Sequence, residues 1–260
     1  MSSSEQARVT AGGIDLNSDL GESGGGRVFD DAGVLPSISS ANVACGFHAG
    51  DPGGIRLTCR RAAELGVTVG AHPGYRDFEG FGRRLIEVDL GELTDEVIYQ
   101  IGAVQAVARS VGTEVRYVKP HGGLYKAIAV REDQARAVAR AVLELDDTLP
   151  LMVLPGSVIE RVARDTGLRT VAEAFADRGY LPDGTLVRRG APGALLAPEA
   201  AVAQAVRIAT EGRIVAVDGT ELAVAADSIC LHGDDPAAVR LAREIRAGLE
   251  GAGVSIRSFA

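Results

Sequence analysis

The chain has 260 residues, 46% of them apolar and 24% charged, with a formal charge of −8. That length suits one large domain or two small ones, and a barrel of about 250 residues needs only one core. The acidic balance argues against a nucleic-acid binder, no run reaches the roughly 18 apolar residues of a membrane span, and residues 1–8 hold no apolar signal core. Three cysteines (Cys45, Cys59 and Cys230) cannot all pair and lack zinc-finger spacing, so a reduced, cytoplasmic protein is expected.

Residues 1–12 read as a frayed, Ser-rich start and 13–260 as one domain. Short apolar runs at 14–17, 39–45, 67–71, 115–119, 151–154, 170–174 and 228–231 have the length of buried parallel strands, and 254–259 is a candidate closing strand. Helical runs sit between them. Asp51-Pro52 opens one that Gly66 closes, and others cover about 94–112, 132–145, 157–166, 198–211 and 236–249. Strand–helix alternation along the whole chain predicts a single (β/α) barrel of seven or eight strands. Residues 214–224, with Asp218-Gly219 at their centre, interrupt the alternation as an inserted β-ribbon.

The polar residues gather where the strands end. All four histidines (His48, His72, His121 and His232) follow an apolar run and have a Gly within two residues. With Gly at roughly 13% of the chain, that coincidence has a chance of about 0.24 for one histidine and about 0.003 for four. The C-terminal ends of parallel strands form one face, where active sites are built, so the histidines should converge there. Asn17, Asp19 and Asn42 belong to the first two strands, Lys119 precedes Pro120-His121-Gly122-Gly123, and Glu173 and Asp177 end the sixth strand.

Two segments echo each other, His48 to Asp51-Pro52 and His232 to Asp234-Asp235-Pro236. Each sets a helix N-terminus, suited to an anion, beside the pocket, and its Asp-Pro pair also caps that helix. Arg83-Arg84, Arg178 and Arg189 are candidates to clamp an anion. Asp19, His48 and His121 are candidate metal ligands, although no spacing proves a metal. A phosphate-binding Gly-x-x-x-x-Gly-Lys-Ser/Thr loop and His-Glu-x-x-His are both missing from the sequence, and Gly156-Ser157 after Pro155 does not make a nucleophile elbow.

The blocks 15–23 (Asp-Leu-Asn-Ser-Asp-Leu-Gly-Glu-Ser), 40–52, 70–75, 80–84, 118–125, 173–180 and 230–234 together resemble the motifs of the LamB/YcsF family over residues 14–260. Ser18 stands where many members carry cysteine, and Gly123 where alanine is common. The resemblance implies a barrel of the glycoside hydrolase/deacetylase type. It also implies a 5-oxoprolinase that opens 5-oxo-L-proline to L-glutamate, working with partner subunits B and C. ATP with Mg2+ is the implied cofactor, and its site, on this chain or with or on a partner subunit, stays open.

An unstrained lactam reacts slowly with water, and phosphorylation of its amide oxygen would make the carbon electrophilic. The residues then suggest roles: histidines for acid–base work, Lys119 and the arginines for negative charge, and Asp19 to orient a histidine or hold a metal. Lys119 is expected to face a substrate anion and His121 to move a proton. Two alternatives stay open, a metal-dependent deacetylase or amidohydrolase without ATP, and a subunit that binds without catalysing.

Overall fold

The computed structural model describes residues 13–232 and 237–260. The expected frayed start at 1–12, and Asp234 with its Asp-Pro pair, lie outside the described residues.

The barrel strands β1 (Asp15–Leu20), β2 (Ser40–Ala44), β3 (Thr68–His72), β4 (Val115–Val118), β5 (Leu151–Val153) and β6 (Thr170–Phe175) lie side by side in chain order. The next two strands, β7 (Arg213–Val215) and β8 (Glu221–Ala223), form the separate antiparallel ribbon around Asp218-Gly219. The last strand, β9 (Ser228–Leu231), pairs in parallel with both β6 and β1 and closes a seven-stranded barrel.

Around it run α1 (Asp31–Val34), α2 (Pro52–Leu65), α3 (Leu90–Arg109), α4 (Gly122–Val130), α5 (Glu132–Leu145), α6 (Val158–Thr166), α7 (Pro198–Glu211) and α8 (Ala238–Gly251). None of the described helices is long and apolar enough to cross a membrane.

Side-chain alternation sorts each strand into two faces. Leu16, Val43, Val69, Val118, Val153 and Ile229 point outward into the apolar layer beneath the helices. The inward positions are largely polar, unlike the branched aliphatic filling usual for such barrels. Asp15 accepts hydrogen bonds from Ser39 and Ser40 at 2.6 Å each, and from Ser228. One level up, Tyr117 donates to Asn42 Oδ1 at 2.6 Å, Asn42 Nδ2 donates to Asn17 Oδ1 at 2.7 Å, and Asn17 Nδ2 donates to Ser228 Oγ at 2.7 Å and Glu173 Oε1 at 3.1 Å. These bonds satisfy groups that would otherwise be costly to bury.

Residues 254–259 are not an eighth barrel strand. Ile256 makes a single bridge to Ile14, and Phe259 packs on Tyr117 with ring centroids 5.1 Å apart. With β9 already joined to β1 no free edge remains, so the C-terminal segment plugs the N-terminal end of the barrel. Helix α3 starts at Leu90, earlier than about 94, because Asp89 caps it through Gly91 and Glu92, and it ends at Arg109, short of Gly112. Helix α4 was not expected. Its 124–130 stretch is almost wholly apolar and carries no helical period to read.

Candidate active site

At the C-terminal ends of the strands lies a pocket of about 610 Å³, its open mouth included, walled by residues from β1, β3, β4, β6 and β9 and the segments that follow them. Asp19, Lys119, His121, Arg178, Arg189 and His232 are among its lining residues, and Glu22, His72 and Arg83 are others.

The floor is a charged network. Lys119 Nζ donates to Glu173 Oε1 at 2.8 Å, to Asp19 Oδ1 at 3.1 Å and to Asn17 Oδ1 at 3.1 Å. Burial disfavours the ammonium, but Asp19, Cys230 and Glu173 more than offset this and hold its pKa well above the ordinary lysine value. Asp19 behaves in the complementary way. Burial works against its charge, but His72 and Lys119 hold it well below the carboxylate range.

One wall is a histidine cluster. His72 ends β3, and Pro120 turns the chain so that His121 sits opposite it. His72 Nδ1 lies 2.7 Å from the Lys119 carbonyl oxygen and His121 Nε2 lies 2.8 Å from that of Phe81. A carbonyl only accepts, so each of these nitrogens carries the hydrogen. The remaining nitrogens, His72 Nε2 and His121 Nδ1, face each other at 3.0 Å. His48, fully buried, stacks on His121 with centroids 3.8 Å apart and planes 3° from parallel. Burial first, then the adjacent histidines, pushes both His48 and His121 well below the usual imidazole pKa.

Glu22 Oε1 completes the group, 3.0 Å from His48 Nε2 and 3.3 Å from His121 Nδ1. Local backbone makes room for it. A Cβ on Gly82 would lie 2.6 Å from His48 Cβ, and one on Gly74 2.8 Å from His48 Nδ1. Phe81 holds φ at +54°, a strained value for a bulky residue, and its carbonyl receives His121.

The opposite wall holds His232. Its Nδ1 lies 2.8 and 3.0 Å from the two oxygens of Asp177. Burial alone would raise the Asp177 carboxyl, but His232 and Arg178 outweigh it, so its pKa falls below the usual value. A carboxylate cannot donate, so Nδ1 bears the hydrogen and Nε2 is left as a base. At the mouth, partial burial and then Arg178, Arg189, Arg83 and Arg188 push the Lys126 ammonium below its ordinary pKa, which marks a positive field that an anion would relieve. Tyr125 lies beneath. Burial and the neighbouring Glu173 raise its phenol well above the usual value, so it remains an O–H donor.

The structure thus brings Asp19, His72, Lys119, His121 and His232 to one pocket, with His48 directly behind and Glu173 below. Asn17 and Asn42 lie under the floor, fully buried in the interior network, and do not line the pocket. Asp51 caps α2 through Gly53 and Gly54, away from the pocket wall. Arg84 does not reach the pocket either, because its guanidinium is paired with buried Asp77 and braces the 77–84 loop. Arg178 lines the pocket but directs its donors to the Ala194 and Val187 carbonyls at 2.9 and 2.6 Å.

Lys119 faces carboxylates of the protein rather than an open anion site, and both ring nitrogens of His121 are engaged. The sequence reading passed over Glu22, Tyr125 and Lys126. Glu22 follows Gly21 just past the end of β1, where strand periodicity no longer says which way a side chain turns.

The LamB/YcsF family model matches residues 14–260. A curated relative from Kocuria rhizophila, named as the A subunit of 5-oxoprolinase, is 56% identical over 249 residues, 95% of this chain and 99% of that one. The crystal structure of a lactam utilization protein from Thermus thermophilus superposes with a TM-score of 0.90 at 47% identity, covering 95% of this chain and 100% of that one. A family 4 carbohydrate esterase from Streptomyces lividans shares the fold alone, with a TM-score of 0.53 at 12% identity over 96% of this chain and 94% of that one.

Proposed function

The chain belongs to the LamB/YcsF family, and from that membership we propose that it is the A subunit of a 5-oxoprolinase, opening the lactam of 5-oxo-L-proline to give L-glutamate with hydrolysis of ATP. The observation that carries the reading is a pocket that pairs a cationic mouth with an oriented histidine base, in a chain more than half identical to a curated protein of that name. The complex includes partner subunits B and C. A cytoplasmic location, where ATP is present, is part of the proposal.

Arg83, Lys126 and Arg189 bind the substrate carboxylate or a phosphoryl group at the mouth. His232, held by Asp177, takes the proton from water and returns it to the leaving ring nitrogen. Asp19, kept ionised, stabilises the imidazolium that forms on His232, since it lies within 4.8 Å of a ring nitrogen of that residue. Lys119, itself fixed by Glu173, holds Asp19 in place from below. ATP with Mg2+ supplies the activation that an unstrained amide lacks, and its binding involves the partner subunits. In its own sequence the chain has no Gly-x-x-x-x-Gly-Lys-Ser/Thr loop.

The test is reconstitution with candidate B and C chains, following glutamate release from 5-oxoproline. The expected result is ATP-dependent turnover by the three chains together and little by this chain alone. Turnover without ATP, or cleavage of N-acetylated sugars instead, would replace this reading with that of an ATP-independent amidohydrolase or deacetylase.

A further inference from the structure

We infer that Glu22, His48, His72 and His121 form a binding site for one divalent transition-metal ion of the zinc class. The inference is independent of the 5-oxoprolinase reading, because it rests on how four ligand atoms are arranged.

His72 Nε2 and His121 Nδ1 approach to 3.0 Å with their hydrogens committed elsewhere, to the carbonyl oxygens of Lys119 and Phe81. With one ring hydrogen on each so committed, the two facing nitrogens need a proton or a metal ion between them. A shared proton would serve that one pair. A metal serves the whole group, because Glu22 Oε1 lies 3.3 Å from His121 Nδ1, 3.9 Å from His72 Nε2 and 3.0 Å from His48 Nε2. All four ligand atoms fall within 4.8 Å of one another. Zinc bonds of about 2.0–2.1 Å in a tetrahedron separate the ligand atoms by about 3.3 Å, and the measured separations straddle that value.

The surroundings also fit. The outer nitrogen of two of the three histidines is bonded to a backbone carbonyl, which fixes tautomer and ring orientation as metal sites require. Glu22, His72 and His121 line the pocket, so an ion has a way in. Three imidazoles and one carboxylate suit zinc or cobalt better than magnesium or calcium, which take mostly oxygen ligands. Asp19, Cys230 and His232 form a second close trio, but Lys119 Nζ sits 3.1 Å from both Asp19 Oδ1 and Cys230 Sγ, and a fixed ammonium there repels a cation.

The full chain, stripped with a chelator, is titrated with Zn2+ and with Co2+ alone. The expected results are one equivalent bound, a rise in unfolding temperature, and the intense visible bands of four-coordinate cobalt without a sulfur-to-cobalt band in the near ultraviolet. Glu22→Gln and His48→Ala should each weaken binding by about tenfold or more, while His232→Ala keeps the stoichiometry and the spectrum. If those variants do not fold, the cobalt spectrum of the unaltered chain still decides. A stripped chain that binds neither ion, a thiolate band, or loss of the ion in His232→Ala would each overturn the assignment.

Discussion

Lys119 and Glu173 meet end to end inside the barrel, Nζ to Oε1 at 2.8 Å, with side chains only 3% and 0% exposed. Asp19 shares the same ammonium at 3.1 Å. Removing the cation while leaving two buried carboxylates should be strongly destabilising, by about 3–5 kcal/mol. Lys119→Met therefore should lose stability in denaturant unfolding, and Lys119→Met with Glu173→Gln should recover part of it. A stable Lys119→Met chain with a raised KM in the reconstituted enzyme would instead make Lys119 a ligand for the substrate anion.

The cations at the mouth should behave in the opposite way. Arg189 is half-buried at the pocket and helps push Lys126 downward. Arg189→Ala should leave the fold intact, relieve Lys126, and raise KM for the anionic substrate about tenfold or more, as loss of a charge-assisted contact does. Steady-state kinetics of the reconstituted enzyme check this. A fall in kcat at constant KM would mean that Arg189 acts on charge formed only in the transition state.

The barrel, the ribbon and the ends of most strands were legible in the sequence because each rests on local signals. Apolar runs of strand length, the caps at Asp51 and Gly66, and the Asp-Gly turn at 218–219 each report their own neighbourhood. The histidines were legible as a set because they recur at strand ends. Their grouping was not. Which of them meet depends on Pro120 turning His121 onto His72, on the φ of Phe81, and on Gly74 and Gly82 leaving space for His48. Lys119 illustrates the same limit. Its sequence neighbours suggest an exposed anion hook, while three other strands contribute the groups that enclose it: Asn17 and Asp19 from β1, Glu173 from β6 and Cys230 from β9.

Asp15 gives a pH test of the barrel floor. Burial outweighs its serine hydrogen bonds and raises the carboxyl from 3.8 to about 6. A folded-state pKa above the unfolded one means that the native protein binds the extra proton. The resulting stability is fully present below about pH 4 and is lost as pH rises through about 6, with a total swing of about 3 kcal/mol. Asp19 and Asp177 are shifted the other way, so the signal must be read as a difference from a variant. Relative to Asp15→Asn, the unaltered chain should lose about 3 kcal/mol between about pH 4 and pH 8. A difference that stays constant, or grows in the other direction, would mean that Asp15 is ionised throughout.

His232 is the residue on which the proposed chemistry stands. Asp177 fixes its Nδ1–H at 2.8 Å, Phe175 lies nearly parallel to its ring at 6.0 Å, and the pocket receives its other edge. Those contacts set both tautomer and orientation, which is what a general base needs. His232→Ala should lower kcat of the reconstituted enzyme about 10²–10⁴-fold with little change in KM. Added imidazole should restore part of the rate, since the cavity left by the side chain opens on the pocket. Asp177→Asn keeps the shape but no longer holds the Nδ1 hydrogen by charge, so it should also lower kcat, by less than His232→Ala. Imidazole rescue separates chemistry from scaffolding, because a residue that only braces the wall would not be replaced by a diffusing ring. Unchanged kcat in His232→Ala would move the acid–base work to the Asp19 side of the pocket.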